Sequence, residues 1–295
     1  MDIGRIVHAD LFDYLPTLPA DSIDLVVTSP PYFDARNYGG EALFKEPLEW
    51  LKFCLLTLKE CQRIIKPEGA IWWNTGAGYQ NYQRLPHTYA LVVGANELGL
   101  GLIDEIPWIK KSSPPKKYKN MPYHGWETNF IFAKNPSQVI YYPVYREYSK
   151  STLERMKYPV SNLMGDKDGE FSKRKLVEPN EKGATSPNYI VEPQDTTSRP
   201  HPATMLPALA NWAIRAYTEP GEIVLDPLCG AGTTLVEAQR LGRQWLGCEL
   251  FEEYIELAYL SLARLKVGAD PYRGLKNAWN ELKGENSDER NEDNG

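Results

Sequence analysis

Short apolar runs alternate with segments of helical periodicity at both ends of the chain, and this alternation constrains the fold most. Ile23–Val27 is a β-branched run suited to a strand buried on both faces, and leucines from Leu48 to Leu58 then repeat with a helical period. Near the carboxyl terminus, Ile223–Leu225 precedes a helical segment at Thr233–Leu241. Strands that alternate with helices favour a parallel sheet, so the sequence predicts an α/β fold with a doubly wound, mostly parallel sheet.

The middle of the chain lacks this rhythm. Between about residues 110 and 200, prolines and glycines are scattered and periodicity is weak, apart from a strand candidate at Asn129–Phe132. We therefore predict one sheet-forming domain split by a loop-rich insertion. The predicted boundaries are 1–110 for the first half of the domain, 111–198 for the insertion, 199–283 for the second half and 284–295 for a disordered acidic tail.

The charge of the chain is unevenly distributed. The net charge is −6 at pH 7, yet residues 106–200 hold 16 Lys and Arg against 10 Asp and Glu. The basic excess is therefore confined to the middle of an acidic chain. A local excess of this kind is what attraction to a polyanion requires.

Several protein classes are disfavoured. No apolar run approaches the roughly 18 residues that would span a bilayer, and the amino terminus lacks the layout of a signal peptide, so we expect a cytoplasmic protein with no membrane contact. None of the four cysteines forms a C-x-x-C pair or lies at ligand spacing from a histidine. We therefore expect no metal.

A glycine-rich segment, Asp226–Thr234, lies between a predicted strand and a predicted helix, where backbone N–H groups can approach a ligand. Leu235 stands where a dinucleotide loop has its third glycine, and no lysine follows as in a nucleoside triphosphate loop. Glu249 ends the next predicted strand, where a carboxylate can accept hydrogen bonds from ribose hydroxyls. The pattern indicates a nucleoside-type cofactor, although a turn that serves only strand-to-helix packing has similar glycines.

A second motif, T-S-P-P-Y at Thr28–Tyr32, directly follows the predicted strand Ile23–Val27. Ligands of open α/β sheets bind beyond the carboxyl ends of strands. The two prolines stiffen the backbone and remove two donors, which leaves carbonyl acceptors beside a serine hydroxyl and a tyrosine ring. This arrangement suits a planar ring that carries an amino group. A Pro-Pro turn with a core tyrosine is the alternative.

Taken together, these motifs resemble those of amino-group DNA methyltransferases that use S-adenosylmethionine, in the group whose catalytic motif precedes the cofactor motif. The matching segments, in chain order, are Ala9–Asp10, Ser22–Tyr32, Arg36–Gly39, His201–Ala203, Val224–Thr234 and Gly247–Glu249. The resemblance covers roughly residues 5–110 and 199–265 and implies a Rossmann-like methyltransferase fold. The segment between matches nothing known, as expected of a target recognition region.

The resemblance implies which residues bind S-adenosylmethionine. Glu249 would hold the ribose and Asp10 the adenine, with a helix cap or turn as the alternative role of Asp10. The residues expected around the methionine part are Asp226, Gly230, Gly232 and Thr233. The further residues expected at the cofactor site are His201, Pro227, Cys229, Ala231 and Thr234.

The same resemblance implies a catalytic role for Ser29, Pro30, Pro31 and Tyr32. Hydrogen bonds from an exocyclic amine to the Ser29 hydroxyl and the Pro30 carbonyl would localise the lone pair of the nitrogen. Tyr32 would stack on a base flipped out of double-stranded DNA. Serine at this position is typical of cytosine-N4 enzymes, whereas adenine-N6 enzymes carry Asp or Asn. We therefore expect cytosine N4, with adenine N6 as the alternative.

DNA contacts are expected from the basic middle of the chain. The lysines concerned are Lys110, Lys111, Lys116, Lys117 and Lys119, with a second cluster at 173–175. We expect the enzyme to act within a restriction–modification system. A homodimer and a separately acting cognate nuclease are both compatible with the sequence.

Two other functions remain open. A methyltransferase of protein glutamine uses a related N-P-P-Y turn, but the late position of the cofactor motif and the basic insertion speak against it. A non-catalytic DNA-binding module of the same fold is the second alternative, and the intact motif at residues 29–32 speaks against that one.

Overall fold

The computed structural model describes residues 1–33, 43–111, 119–120, 122, 124–158, 179–194 and 204–283. The chain divides into two compact units, one formed by Met1–Tyr142 with Asn188–Gly295 and the other by Pro143–Pro187. The first unit holds the large sheet and the candidate site.

Strands and helices alternate along the chain. The strands are β1 (Arg5–His8), β2 (Ile23–Thr28), β3 (Ile65–Thr75), β4 (Tyr79–Gln80), β5 (Gln83–Arg84), β6 (Gly101–Lys110), β7 (Trp126–Ala133), β8 (Tyr145–Arg146), β9 (Ala184–Thr185), β10 (Ile190–Glu192), β11 (Ile223–Asp226) and β12 (Gln244–Glu249). The helices are α1 (Leu11–Tyr14), α2 (Pro47–Ile64), α3 (His87–Glu97), α4 (Lys150–Met156), α5 (Pro207–Tyr217), α6 (Thr233–Arg240), α7 (Glu252–Lys266) and α8 (Leu275–Lys283), with 3-10 turns at Leu15–Thr17 and Pro136–Gln138.

Eight strands form one sheet in the order β1-β12-β11-β2-β3-β7-β6-β10. All pairs from β1 to β3 are parallel, β7 is antiparallel to both neighbours, and β10 is parallel to β6. The mostly parallel α/β fold predicted from the sequence is confirmed. Because the first five strands in this order run the same way, the residues that follow them all emerge at one edge of the sheet, which we call the carboxyl edge.

The centre of the sheet explains the apolar runs. β2 is buried at all six positions, as expected of a strand covered on both faces. Trp50 on α2 and Trp72 and Trp73 on β3 are fully buried. Helix α2 begins at Pro47 with a capping box, in which the side chains of Glu46 and Glu49 each accept the other's backbone N–H.

The smaller unit, Pro143–Pro187, contains a two-stranded ribbon of β8 and β9, in which Tyr145 faces Thr185. Its helix α4 is capped by Ser149, whose hydroxyl accepts the Thr152 N–H at 3.1 Å.

The range 111–198, predicted as an insertion, also contributes to the main sheet. It contains β7 and the edge strand β10. The Trp108 indole N–H on β6 donates to the Glu192 carbonyl of β10 at 3.0 Å. That this range serves target recognition stays a prediction, and the predicted tail 284–295 lies outside the described residues. No helix within the described ranges combines the length and apolar character needed to cross a membrane.

Candidate active site

The carboxyl edge of the sheet holds a cavity of about 290 Å³. This volume is near the lower end of those that enclose small-molecule ligands. Ser29 and Pro31 from the motif after β2 line it together with residues that follow β1, β11 and β12. The lining residues from those three places are Ala9, Asp10, Leu11, Asp226, Pro227, Leu228, Cys229, Gly230, Ala231, Thr233, Thr234, Glu249, Leu250, Phe251 and Tyr254.

The segment Asp226–Thr234, here the glycine loop, turns sharply between β11 and α6. Gly232 caps α6 with a left-handed φ of 75°, and a Cβ there would lie 2.6 Å from the Ala258 Cβ on α7. Only glycine combines this backbone conformation with such close helix packing. The Gly232 N–H donates to the Cys229 carbonyl at 2.8 Å, which closes the turn.

Asp226, the first residue of the glycine loop, is buried. It accepts hydrogen bonds from the Thr234 hydroxyl at 2.7 Å and from the Leu228 N–H at 3.1 Å. Burial is the largest cause of a rise in its pKa to about 6, and the bond from Thr234 opposes the rise. Its negative charge is therefore poorly solvated and would gain from a cationic ligand.

Glu249, at the end of β12, is held by three backbone donors. Its Oε2 accepts the Gly230 N–H at 2.8 Å, and its Oε1 accepts the N–H groups of Leu250 and Phe251 at 2.9 and 3.0 Å. Burial raises its pKa, and these bonds oppose the rise. Because a carboxylate offers about four acceptor positions, Oε2 retains capacity for a ligand hydroxyl.

Asp10 has the structural role that the sequence left open, and it also faces the cavity. It caps α1 by accepting the Phe12 N–H at 2.7 Å, and it is exposed at the cavity rim. The cap and a role in ligand binding are compatible, since the bond to Phe12 uses one carboxylate oxygen.

Ser29–Tyr32, here the S-P-P-Y turn, is fixed from behind by α2 and β3. The Trp50 indole N–H donates to the Pro31 carbonyl at 2.8 Å. The Ser29 hydroxyl donates to Asn74 Oδ1 at 3.0 Å. Ser29 and Pro31 line the cavity, whereas Pro30 is buried and neither it nor Tyr32 belongs to the lining.

Tyr32 is held by a polar network that the sequence did not indicate. Its hydroxyl lies 2.5 Å from Asn74 Oδ1 and 3.0 Å from Glu127 Oε2. Lys110 binds the other oxygen of Glu127 at 2.6 Å and is only 9% exposed. The buried Asn74 also donates to Asn129 Oδ1 at 2.9 Å. Strands β3, β6 and β7 therefore jointly position the S-P-P-Y turn.

The expectation that Lys110 contacts DNA was wrong, because its ammonium group is buried against Glu127. Its neighbour Lys111 is 57% exposed and makes a loose 3.8 Å pair with Glu192. Lys116, Lys117 and residues 173–175 lie outside the described residues, as does His201. Thr204, three residues after His201, lines the cavity.

Two groups of site residues were missed. Apolar side chains on the cavity wall gave no signal because they resemble core residues, and they include Leu43, Phe44, Phe53, Met205, Phe251 and Tyr254. Asn74 could have been found, since it directly follows the apolar run at residues 70–73, which is typical of a buried strand, and therefore reaches the carboxyl edge. Within the described residues, no group of three or more His, Cys, Asp or Glu side chains could hold a metal ion.

Comparison with known proteins identifies the family. The model of the N6/N4 DNA methylase family matches residues 23–260. The Type II methyltransferase M.BglII of Bacillus subtilis is 30% identical over 270 residues, which cover 88% of this chain and 69% of that protein. M.Cfr9I of Citrobacter freundii is 26% identical over 288 residues, with 86% of each chain covered. The chain belongs to the N6/N4 DNA methylase family and is thus a DNA methyltransferase that acts on amino groups.

Solved structures share the fold. The cytosine-N4-specific PvuII DNA methyltransferase matches with a TM-score of 0.67 and 19% identity, over 97% of this chain and 94% of its own. A DNA modification methylase of Thermus thermophilus, solved in complex with S-adenosyl-L-methionine, matches with a TM-score of 0.59 and 24% identity, over 88% of this chain and 93% of its own.

Proposed function

We propose that this DNA methyltransferase transfers a methyl group from S-adenosylmethionine to N4 of cytosine. The observation that carries the proposal is the shared cavity, which Ser29 lines together with Asp226 and Glu249. A cofactor held at the glycine loop would therefore lie beside a base held at the S-P-P-Y turn. Bringing two reactants together in this way supplies a large part of a catalysed rate.

The lining of the cavity suits S-adenosylmethionine. Phe44, Phe53 and Phe251 offer apolar surface to an adenine ring, and the exposed Asp10 carboxylate can accept from its amino group. Glu249 has remaining acceptor capacity for ribose hydroxyls. The cofactor supplies an electrophilic methyl group on a positively charged sulfur, and the buried charge of Asp226 favours binding of a cation.

Ser29 is suited to act as a hydrogen-bond acceptor. Its proton is directed to Asn74, so the lone pairs of its oxygen are available to an amine. The Trp50 bond fixes the adjacent Pro31 carbonyl, which orients the peptide that carries the Pro30 carbonyl. Two acceptors on the amine make its nitrogen more tetrahedral and its lone pair more nucleophilic. The proton released after transfer passes to water, because neither acceptor is basic enough to keep it.

Cytosine is favoured by the serine at position 29, which is typical of N4 enzymes. The solved structure of similar fold that carries the name of a cytosine-N4-specific enzyme adds support. The base would reach the cavity by flipping out of the duplex, and the cost of a few kcal/mol would be offset by stacking on Tyr32.

A restriction–modification system is the proposed setting. M.BglII and M.Cfr9I are both Type II methyltransferases, and the basic excess at residues 106–200 suits contact with duplex DNA.

The test is to identify the modified nucleoside. Plasmid DNA is incubated with the purified protein and isotope-labelled S-adenosylmethionine, digested to nucleosides and analysed by mass spectrometry. We expect label in N4-methylcytosine. Label in N6-methyladenine would overturn the assignment of the base and keep the enzyme class. Label that appears only in an added release-factor-like protein would overturn DNA as the substrate.

A further inference from the structure

The ribbon of β4 and β5, Tyr79–Arg84, projects from the end of β3 beside the S-P-P-Y turn. The chain reaches it through Gly76, where a Cβ would lie 2.8 Å from the Tyr32 ring. The base of the ribbon is closed by a 3.0 Å bond from the Leu85 N–H to the Gly78 carbonyl. The segment that leads from β3 into the ribbon therefore packs against the Tyr32 ring.

The tip of the ribbon has a strained backbone. Gln80 pairs with Gln83, so Asn81 and Tyr82 form a two-residue loop, and their φ angles are 49° and 62°. A loop with positive φ at both positions favours Asn followed by Gly. Tyr82 stands where glycine is preferred. A large side chain in such a conformation is uncommon, and strained residues of this kind cluster at functional sites.

Burial does not explain the choice of tyrosine, since Tyr82 is 65% exposed. An exposed cation accompanies it on the same ribbon. The Arg84 guanidinium carbon lies 5.3 Å from the Tyr89 ring centroid and 5.1 Å from that of Trp126. The two rings hold the guanidinium in place while leaving it accessible, which suits contact with a phosphate. Trp126 lies on β7, the strand that also carries Glu127, so the same strand supports both the cation and the Tyr32 network.

We propose that this ribbon binds duplex DNA next to the flipped nucleotide, with the Tyr82 ring entering the stack where the target base has left and Arg84 contacting a neighbouring phosphate. The inference rests on the proposed base flipping. An aromatic ring in the gap restores stacking to the bases on either side, which lowers the cost of keeping the target base in the cavity.

The test compares paired and mismatched targets in the full-length protein. The recognition site is first mapped by sequencing modified bases in DNA methylated by the wild-type protein. Synthetic duplexes then carry that site with the target base either paired or mismatched. Tyr82→Gly removes the ring and relieves the strained turn, so its melting temperature should equal or exceed that of the wild type. Tyr141→Ala is the control, because it also removes an exposed tyrosine ring, which is 45% exposed. Tyr141 lies at the opposite end of the sheet from the ribbon, since its neighbour Ile140 donates its N–H to the Glu68 carbonyl near the amino end of β3.

On the paired duplex, Tyr82→Gly should lower kcat/KM by about 30-fold, since the variant must bear more of the flipping cost. On the mismatched duplex the target base is already unstacked, so the kcat/KM of Tyr82→Gly should return to within about 3-fold of the wild-type value. Tyr141→Ala should match the wild type on both. For Arg84→Gln, the slope of log affinity for DNA against log salt concentration should be smaller in magnitude by about 1, because one phosphate contact is lost.

An equal defect of Tyr82→Gly on both duplexes, or no defect on either, would overturn the role in the base stack. If the wild-type protein methylates no DNA, the proposed function fails before any variant is compared. The two failures are therefore distinguishable.

Discussion

The glycine loop and the S-P-P-Y turn face one cavity, yet they are held in place differently. The glycine loop is fixed mainly by its own backbone, through donors to Glu249 and the short-range bonds of Asp226. The S-P-P-Y turn is fixed by side chains from three strands, through Asn74, Glu127 and Lys110. A site built from local backbone can be transferred between sequences as a short motif, whereas one built from distant side chains depends on the whole sheet.

Replacing Ser29 tests whether the S-P-P-Y turn acts in chemistry alone. Ser29→Ala removes one acceptor for the amine, and kcat should fall by about 100- to 1000-fold. The affinity for S-adenosylmethionine should change by less than about 3-fold, a change of well under 1 kcal/mol. Single-turnover rates and calorimetry measure the two quantities. Ser22→Ala is the control, since that hydroxyl bonds to the Pro19 carbonyl at the opposite end of β2. A large loss of cofactor affinity would assign Ser29 to the other half of the cavity.

Glu249 provides the complementary test of the glycine loop. Glu249→Gln leaves at least one of its three backbone donors without a carboxylate oxygen and removes an acceptor for the ribose. Cofactor affinity should weaken by about 10- to 100-fold, because the ribose loses a hydrogen bond to a charged group, which is worth about 1.5–3 kcal/mol. Calorimetry measures the affinity of wild type and variant for S-adenosylmethionine. An unchanged affinity with a lowered kcat would contradict the division between the two regions.

The pKa of Asp226 gives a pH test. Protonation of its carboxylate as the pH falls through about 6 should weaken binding of the cationic cofactor, by about 10-fold per unit well below that value. Asp226→Asn should bind weakly at every pH and lose this dependence, as calorimetry between pH 5 and pH 8 would show.

The same residue should affect stability in the opposite direction. The folded pKa of Asp226 lies above its unfolded value, so its contribution to stability is complete at low pH and is lost as the pH rises through about 6. The cofactor-free Asp226→Asn protein should therefore melt at least as high as the wild type at pH 8. A clear drop in melting temperature would show that the bond from Thr234 matters more than the buried charge.

Lys110 and Glu127 test the network behind Tyr32. Lys110→Met leaves a half-buried carboxylate without its cation, which should cost about 3 kcal/mol of stability and lower kcat several-fold. Adding Glu127→Gln should restore part of both, because the amide can still accept from Tyr32. Urea denaturation and steady-state rates of the two single variants and the double variant provide the measurement. Strictly additive losses would mean that the pair does not act as a unit.

The neighbouring Lys111 should have the smallest effect. Its pair with Glu192 is exposed and long, so Lys111→Met should change stability by less than about 0.5 kcal/mol. A loss comparable with that of Lys110→Met would show that exposure does not separate the two lysines.

Sequence patterns predicted those parts of the protein that depend on neighbours in the chain. The strand at Ile23–Val27 was found because a doubly covered strand is continuously apolar, and the structure extends it only to Thr28. Both motifs were placed correctly at the carboxyl edge, because strand direction fixes where the following residues emerge.

The remaining features depend on contacts between distant segments. No local pattern distinguishes Lys110 from Lys111, yet Lys110 ends β6 and meets Glu127, whereas Lys111 lies just beyond the strand. The strand β10 was missed because a strand of three residues is too short to show a periodic pattern. The aromatic residues around the cavity are of the same types as those in the core, so the sequence alone does not tell the two groups apart.

The sheet order also has a consequence for synthesis on the ribosome. β1 and β2 are separated by β12 and β11, which are translated about two hundred residues later. At about 5–20 residues per second, a nascent chain spends many seconds with β1 unpaired and with β2 paired only to β3. Because residues that follow β11 and β12 line the cavity, the site for the cofactor can form only after the carboxyl-terminal half of the chain has been synthesised.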